Sequence, residues 1–176
     1  MSLRYVPGVW KRLRKSKAAG IAFQVALVVA AVIAIRAFQT RNAVQGPAPS
    51  LVAQSIAGEA VELAALRGEP VVVHFFATWC AVCKAEEHNI KAVAEDHEMI
   101  AVASQSGGVP AVAAYARDSA LTMPIVNDAN GNIAGDWGVS AFPTTFVIDP
   151  DGQITSVEVG YTSELGLRGR LLLAGL

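Results

Sequence analysis

Residues 71–86 read VVVHFFATWCAVCKAE, and this stretch decides the fold. The apolar run Val71–Phe76 has the β-branched and aromatic composition of a buried strand. Cys80 and Cys83, the only cysteines of the chain, follow it where a helical pattern begins. Residues three apart share one face of a helical turn, so the two sulfurs can meet. A helix N-terminus also favours the thiolate of the first cysteine. The stretch therefore predicts a thiol–disulfide exchange site.

Other uses of the two cysteines fit the sequence less well. A structural disulfide across three residues would constrain little of the unfolded chain. A zinc site needs about four ligands, but there is no second CxxC, and His74, His88 and His97 lack zinc-knuckle spacing. A c-type haem motif requires histidine after the second cysteine, where this chain has Lys84.

Charge is distributed unevenly along the 176 residues. Residues 1–41 hold eight Lys or Arg and no acid, whereas residues 42–176 hold six Lys or Arg and all fifteen Asp and Glu, a net charge of −9. An acidic globular part argues against nucleic acid as a partner.

The N-terminal region has the pattern of a membrane anchor. A basic segment, residues 1–17, precedes an apolar run, Ala18–Ile35, that Gln24 alone interrupts. As a helix this run would span about 27 Å, close to the bilayer core. We therefore predict a transmembrane anchor over residues 18–38, with the basic end cytoplasmic and the remainder exported.

A cleaved signal peptide is the main alternative to that anchor. Its apolar region should be shorter, with a small-x-small cleavage site directly after it. Arg36, Phe38 and Arg41 stand there instead, which favours an uncleaved anchor. A Pro/Gly/Ala-rich linker is predicted over residues 39–50, and the globular domain over residues 51–176.

Periodicity and turn residues predict the remaining elements of an α/β domain. In chain order they are a hairpin of Leu51–Ile56 and Ala60–Leu63, the strand Val71–Phe76, a helix from the cysteines to about Asp96, the strand Met99–Ala103, a helix over Val109–Asp118, the strand Met123–Val126, a turn at Asn127–Gly131, the strand Phe142–Ile148, a turn at Asp149–Gly152, the strand Gln153–Tyr161 and a helix over Ser163–Ala174.

Two motifs carry a family resemblance. FFATWCAVCKAE at 75–86 and FPTTFVIDPDG at 142–152 resemble the membrane-anchored TlpA-like thioredoxin-fold proteins. The runs AVASQSGG, MPIVNDANG and EVGYTSELGLR look most like the suppressor-of-copper-sensitivity D type within that family. The resemblance covers nearly all of Leu51–Leu172. It implies a thioredoxin fold, with a central mixed sheet and helices on both faces. It also implies a bacterial inner-membrane protein whose catalytic domain faces the periplasm.

The resemblance assigns roles to individual residues. Cys80 corresponds to the attacking thiol, Cys83 to the resolving thiol, and Trp79 to the aromatic residue beside them. The substrate-binding positions are Trp79, Phe142, Pro143 and Thr144, with Pro143 matching a cis-proline that faces the disulfide. No bound cofactor is implied, because the Cys80–Cys83 pair itself carries the electrons.

The residue that carries the proton remains open. Helical geometry puts Glu86 and Glu87 on either side of the apolar stripe, and the resemblance selects Glu86 as the acid. His74 departs from the pattern, because thioredoxin has a buried Asp there and TlpA-like proteins usually have Asn. His74 could take the proton of Cys83, Glu86 could do so, the two could share it, or His74 could simply fill space as a neutral ring.

Together these features predict a periplasmic, membrane-anchored thiol:disulfide oxidoreductase, with the reductase direction favoured. Its partners are protein disulfides and dithiols and, by resemblance, a membrane electron-transfer protein. Two alternatives from other classes remain. The two soft sulfurs could bind Cu(I), or the domain could be a redox-silent module that binds peptides in the same groove.

Overall fold

A computed structural model describes residues 20–31, 33–35 and 43–176 of the chain. It divides into two units, one ending at Phe38 and the other covering Gln39–Leu176. Residues 20–31 and 33–35 are helical. Among the described residues, no helix combines the length and apolar character that crossing a membrane requires. The basic segment 1–17 and the ends of the predicted span 18–38 lie outside the described residues, so the anchor stays a prediction.

The second unit is built from short strands and helices. Its strands are β1 (Gly46–Pro47), β2 (Val52–Gln54), β3 (Ala60–Glu62), β4 (Val71–Phe76), β5 (Glu98–Ser104), β6 (Ile125–Asp128), β7 (Thr144–Ile148) and β8 (Gln153–Val159). Its α-helices are α1 (Ala81–Ala94), α2 (Val109–Asp118), α3 (Asn132–Asp136) and α4 (Glu164–Ala174), and a 3₁₀ helix covers Leu63–Leu66.

Strand β4 lies in the middle of a six-stranded mixed sheet. The strand order is β1-β8-β7-β4-β5-β6, with β4 parallel to β5 and antiparallel to β7. Strands β2 and β3 form the predicted hairpin as a separate two-stranded sheet. The mixed sheet expected from the family resemblance is therefore confirmed.

Alternate residues of β4 face two different cores. Val72 and Phe76 join an apolar cluster that the buried faces of α1, α2 and α4 complete. Val73 and Phe75 join a second cluster with residues of the β2–β3 hairpin and α3. Since side chains alternate along a strand, His74 points toward the first cluster, beneath α1. This places the one polar side chain of β4 on the cysteine side of the sheet.

The predicted linker differs from the structure in its second half. Ala43 is buried, and β1 pairs with Gln153–Ile154 at the edge of the sheet. The Ala48 N–H also donates to the Gly152 carbonyl over 3.0 Å. Proline is tolerated in an edge strand because one side of that strand needs no ladder hydrogen bond. Residues 43–50 therefore belong to the domain rather than to a free spacer.

A short helix and a shift of one strand were not expected from the sequence. Strand β6 starts at Ile125, two residues later than predicted, because Pro124 has no N–H to donate. The strand continues to Asp128, so only Ala129–Gly131 of the turn predicted over Asn127–Gly131 lie outside it, and they lead into α3. The Asp128 carboxylate accepts hydrogen bonds from the N–H groups of Ile133 and Ala134 over 3.2 and 3.0 Å. Five residues are too few for helical periodicity to show in the sequence.

Candidate active site

Cys80 occupies the N-cap position of α1. Its backbone is extended (φ −80°, ψ 116°), and its Sγ accepts the N–H of Cys83 over 3.2 Å. The same thiol donates to the Phe142 carbonyl over 3.6 Å. Both cysteines are free thiols, and Cys80 is 7% exposed against 2% for Cys83. The first sulfur therefore lies at the positive end of the helix dipole, and the second lies one turn inside.

The Phe142–Pro143 loop closes the site on the side of the sheet. Its peptide bond is cis, as the resemblance implied. The Pro143 carbonyl accepts the N–H of Gly160 over 2.8 Å, and the Thr144 hydroxyl donates to the Ala141 carbonyl over 2.8 Å. These bonds fix both ends of the loop whose Phe142 carbonyl faces the Cys80 thiol.

Trp79 is the most exposed aromatic side chain of the site, with 63% of its surface accessible. Its Nε1 donates to the Gln105 carbonyl over 2.9 Å, and its ring stands edge-on to Phe142 with centroids 6.0 Å apart. The preceding Thr78 N–H donates to the Ser106 hydroxyl over 3.0 Å. The loop between β5 and α2 thus holds the tryptophan. The sequence did not predict this contact, because no local pattern connects residues that lie 26 to 28 positions apart.

Glu86 faces inward from α1 and is 0% exposed. Its Oε2 accepts the Thr162 N–H over 2.8 Å, whereas its Oε1 has no hydrogen-bond partner and lies 3.6 Å from His74 Nε2. Burial raises the pKa of this carboxyl to about 7. Glu87 is only half-buried and accepts hydrogen bonds from Tyr115 on α2 and from Ser119 directly after that helix. Of the two candidates, Glu86 is the one beneath the helix.

His74 is buried, with 4% of its surface accessible. Its Nδ1 lies within hydrogen-bond distance, 2.9 Å, of the Thr145 hydroxyl. Burial lowers the pKa of the ring to about 4, so the imidazole is neutral near neutral pH. His74 and Cys83 line the same small cavity, of about 20 Å³, between α1, α2 and the sheet. The structure therefore brings together Cys83, Glu86 and His74, which the sequence had singled out separately.

Burial, and next to it the hydrogen bond with Cys80, raises the pKa of the Cys83 thiol, and the Glu86 carboxylate adds to this shift. Cys83 and Glu86 are three residues apart on the buried face of α1. The site thus has a thiol at a helix N-terminus, a second thiol that holds its proton, and a carboxyl that titrates near neutrality. Across residues 20–31, 33–35 and 43–176, no group of three or more His, Cys, Asp or Glu side chains is arranged to hold a metal ion.

Comparisons with known proteins place the chain among thioredoxin-like proteins. The AhpC/TSA family model matches residues 44–157, which include both cysteines and Pro143. The thiol-disulfide oxidoreductase ResA of Bacillus thuringiensis is 31% identical over 129 residues, covering 70% of this chain and 74% of ResA. The thioredoxin-like protein YneN of Bacillus subtilis is 32% identical over 130 residues, covering 70% and 76%. A secreted Mycobacterium tuberculosis disulfide oxidoreductase homologous to Escherichia coli DsbE matches at a TM-score of 0.62 with 25% identity, covering 70% of this chain and 95% of that one.

Proposed function

This chain belongs to the AhpC/TSA family of thioredoxin-like proteins and is a thiol-disulfide oxidoreductase of the thioredoxin superfamily, and we propose that Cys80 and Cys83 exchange disulfides with protein partners. One observation carries the proposal. The Cys80 sulfur caps α1, accepting the Cys83 N–H over 3.2 Å, and it faces the carbonyl before a cis-proline. An attacking thiolate is stabilised in that position.

The reaction proceeds through one mixed disulfide. The Cys80 thiolate attacks one sulfur of a partner's disulfide, and the other partner sulfur leaves as a thiolate and takes a proton. Cys83 then loses its proton and attacks the Cys80 sulfur, which expels the second partner thiolate. The partner gains two electrons and becomes a dithiol, and Cys80 and Cys83 become a disulfide.

Glu86 is the proton acceptor for Cys83 in this scheme. A general base works best when its pKa lies near the operating pH, and burial brings the carboxyl of Glu86 to about 7. The two side chains extend from the same buried face of α1. In the reverse reaction the protonated carboxyl returns the proton to Cys83 as that sulfur leaves.

Protein partners dock around the exposed rim of the site. Trp79 and Phe142 form an aromatic pair beside Cys80. Pro143 and Thr144, two of the positions predicted to bind substrate, are buried beneath this rim, where their hydrogen bonds fix the loop that carries the Phe142 carbonyl. Such a rim suits an extended polypeptide that carries its own cysteine, because apolar area is buried while backbone groups remain free to pair.

We assign the reductase direction to the pair. Strong oxidants of this fold owe their potential to a stabilised reduced form. Here only Cys80, at the helix N-terminus, has surroundings that favour a thiolate, because burial and then the hydrogen bond with Cys80 raise the pKa of Cys83. A standard potential nearer to about −270 mV than to about −120 mV is the corresponding expectation, and a value at the oxidising end overturns the assignment.

Location and subtype belong to the same proposal. The basic residues 1–17 and the apolar residues 18–38 support an inner-membrane anchor with the catalytic domain in the periplasm. The runs AVASQSGG and MPIVNDANG support the suppressor-of-copper-sensitivity D subtype of the TlpA-like proteins. A membrane protein that supplies electrons to the Cys80–Cys83 disulfide is the expected partner there.

Turnover of insulin disulfides with dithiothreitol as the electron source tests the function. The parent should turn over many equivalents, and Cys80→Ala and Cys83→Ala should lose turnover. Copper binding is measured on the same preparations under anaerobic conditions. If insulin reduction is absent while one Cu(I) binds per chain through both sulfurs, the protein is a copper-binding module instead. If neither occurs, the domain is a redox-silent binding module.

A further inference from the structure

The Oε1 oxygen of Glu86 is buried without a hydrogen-bond partner. A buried polar atom left unpaired costs about 1–3 kcal/mol, so such atoms call for an explanation. The group facing this oxygen is the Nε2 of His74, 3.6 Å away. This separation is slightly too long for a hydrogen bond and short enough that a small rotation of either side chain makes one.

The other ring nitrogen of His74, Nδ1, contacts the Thr145 hydroxyl, which can either donate or accept a hydrogen bond. His74 and Thr145 are directly opposite each other in the β4–β7 pairing, and Nδ1 lies 2.9 Å from the Thr145 Oγ1. A threonine hydroxyl is both a donor and an acceptor. A neutral imidazole has one N–H and one bare nitrogen, and which is which depends on its partners.

We propose that Thr145, His74 and Glu86 form a relay in which His74, as a positioning residue, exchanges tautomers with each change in the protonation of Glu86. The proposal deepens the proposed function and rests on it, since Glu86 is there the proton acceptor for Cys83. His74 is neutral in both states, and in the exchange between them one ring nitrogen loses a proton while the other gains one.

The two states of the relay follow from donor and acceptor matching. When Glu86 is ionised, the His74 Nε2–H donates to Oε1, and the bare Nδ1 accepts the Thr145 O–H. When Glu86 is protonated, its O–H donates to a bare Nε2, and Nδ1–H donates to the Thr145 oxygen. Each state pairs both ring nitrogens of His74 and the Oε1 of Glu86, so neither protonation state of Glu86 leaves Oε1 without a partner.

The other ionisable groups around the relay are accounted for. Cys83 and Glu87 of α1 and Tyr115 of α2 line the small cavity beside His74. Glu87 is bonded to Tyr115, and burial raises the pKa of both Tyr115 and Cys83. Glu158 of β8, opposite Thr145, pairs with Arg170 over 2.6 Å. Between pH 5 and 9, Glu86 is therefore the group whose titration the His74 tautomer should report.

Nitrogen NMR of the reduced, full-length protein with ¹⁵N-labelled histidine distinguishes the two tautomers directly. The His74 signals are identified by their loss in His74→Asn. We expect Nδ1–H at pH 5 and Nε2–H at pH 9, with the same midpoint as the titration of the Glu86 carboxyl carbon. In Glu86→Gln, one tautomer should persist over the whole range. A single tautomer throughout in the parent overturns the relay.

The role of the Thr145 hydroxyl in the relay is tested with one variant of Thr145 and one control variant. Thr145→Val removes the partner of Nδ1 in both states. Because an unpaired buried N–H is tolerated less well than an unpaired acceptor, the state with protonated Glu86 loses more, and the midpoint should fall. Thr155→Val removes a β8 hydroxyl that donates to the Val147 carbonyl on β7 and should leave the midpoint unchanged. An unchanged midpoint in folded Thr145→Val contradicts the relay, and if this variant does not fold, the result with Glu86→Gln decides.

Failure of the relay and failure of the function give different results. Insulin reduction is measured on the same parent sample. Turnover with a fixed His74 tautomer refutes the relay and leaves the function in place. Absence of turnover refutes the function, and with it the relay as a part of catalysis.

Discussion

His74 Nε2 lies 3.6 Å from Glu86 Oε1 in the core between the central strand and the cysteine-bearing helix. Burial moves the two pKa values in opposite directions, that of His74 down to about 4 and that of Glu86 up to about 7. Between these values both groups are neutral. The pair therefore avoids burying a net charge over most of the mildly acidic range, while one of its members remains able to lose a proton near neutral pH.

The first prediction concerns stability against pH. The folded protein holds the Glu86 proton more tightly than the unfolded chain does. The contribution of Glu86 to the free energy of unfolding is therefore lost as pH rises from about 4.5 to about 7. The unfolded chain holds the His74 proton more tightly than the folded protein does. The contribution of His74 to the free energy of unfolding is therefore gained as pH rises from about 4 to about 6.5. The two contributions largely cancel in the parent.

Single substitutions should expose each contribution. Glu86→Gln keeps only the His74 contribution and should gain stability as pH rises from 4 to 6.5, and His74→Asn keeps only the Glu86 contribution and should lose stability as pH rises from 4.5 to 7, each by about 3 kcal/mol. Urea unfolding of the full-length chain at a series of pH values measures both. The double variant serves as the control and should follow the parent. Parallel curves for the parent and both single variants would contradict the opposed shifts.

The second prediction concerns the division of labour between the cysteines. Cys80 is the more exposed thiol and caps the helix, whereas Cys83 lies inside it. Cys83→Ala should therefore accumulate mixed disulfides at Cys80, because nothing resolves them, and Cys80→Ala should accumulate none. Non-reducing gels and mass spectrometry of trapped partners measure this. Equal trapping by both variants, or trapping by Cys80→Ala alone, would reverse the assignment.

The parts of the molecule that sequence could predict are those with strong local signals. Strand β4 and helix α2 have the predicted bounds because an unbroken apolar run and a proline in the first helical turn mark them. The cysteine pair was equally clear. Glu86 was separable from Glu87 only by resemblance, because the two flank the apolar stripe and the packing of α1 against β4 decides which one is buried.

The parts that sequence missed depend on contacts between distant residues. Strand β1 forms because β8 provides an edge with which it can pair. The Pro/Gly/Ala-rich sequence around β1 has no pattern that predicts this pairing. Trp137 is fully buried between Phe75 and Phe146, with ring centroids 5.5 and 4.9 Å away. It was not singled out because it follows a helix too short to show periodicity.

The third prediction concerns the loop that supports Trp79. The buried Ser106 hydroxyl accepts the Thr78 N–H over 3.0 Å and donates to the Ser104 carbonyl over 2.9 Å. Ser106→Ala should free the tryptophan from its fixed orientation. We expect KM for insulin to rise several-fold, while the rate with a small aromatic disulfide, which needs no docking surface, changes less than twofold.

The matched control for that prediction is Ser55→Ala. Ser55 is as buried as Ser106, at 7% exposure each, and its hydroxyl also accepts backbone N–H groups, those of Ala57 and Glu59. Both substitutions remove about 1 kcal/mol or somewhat more of hydrogen bonding. Equal rises in KM for the two variants would attribute the effect to stability rather than to the orientation of Trp79.

The last prediction concerns the N-terminal region. The eighteen residues Ala18–Ile35, apolar except for Gln24 and preceded by a basic segment, should insert with the basic end in the cytoplasm and stay uncleaved. Alkaline phosphatase fused after Leu176 should then be active. The protein should be found in the membrane fraction, and after purification it should still carry its N-terminal residues. Val28→Arg puts a charge at the centre of the run, which costs about 2.5–3.5 kcal/mol for insertion and should reduce the membrane fraction. An inactive fusion, or a mature protein that begins near Ala48, would rule out the anchor. Retention of Val28→Arg in the membrane at the level of the parent would show that some other part of the chain holds it there.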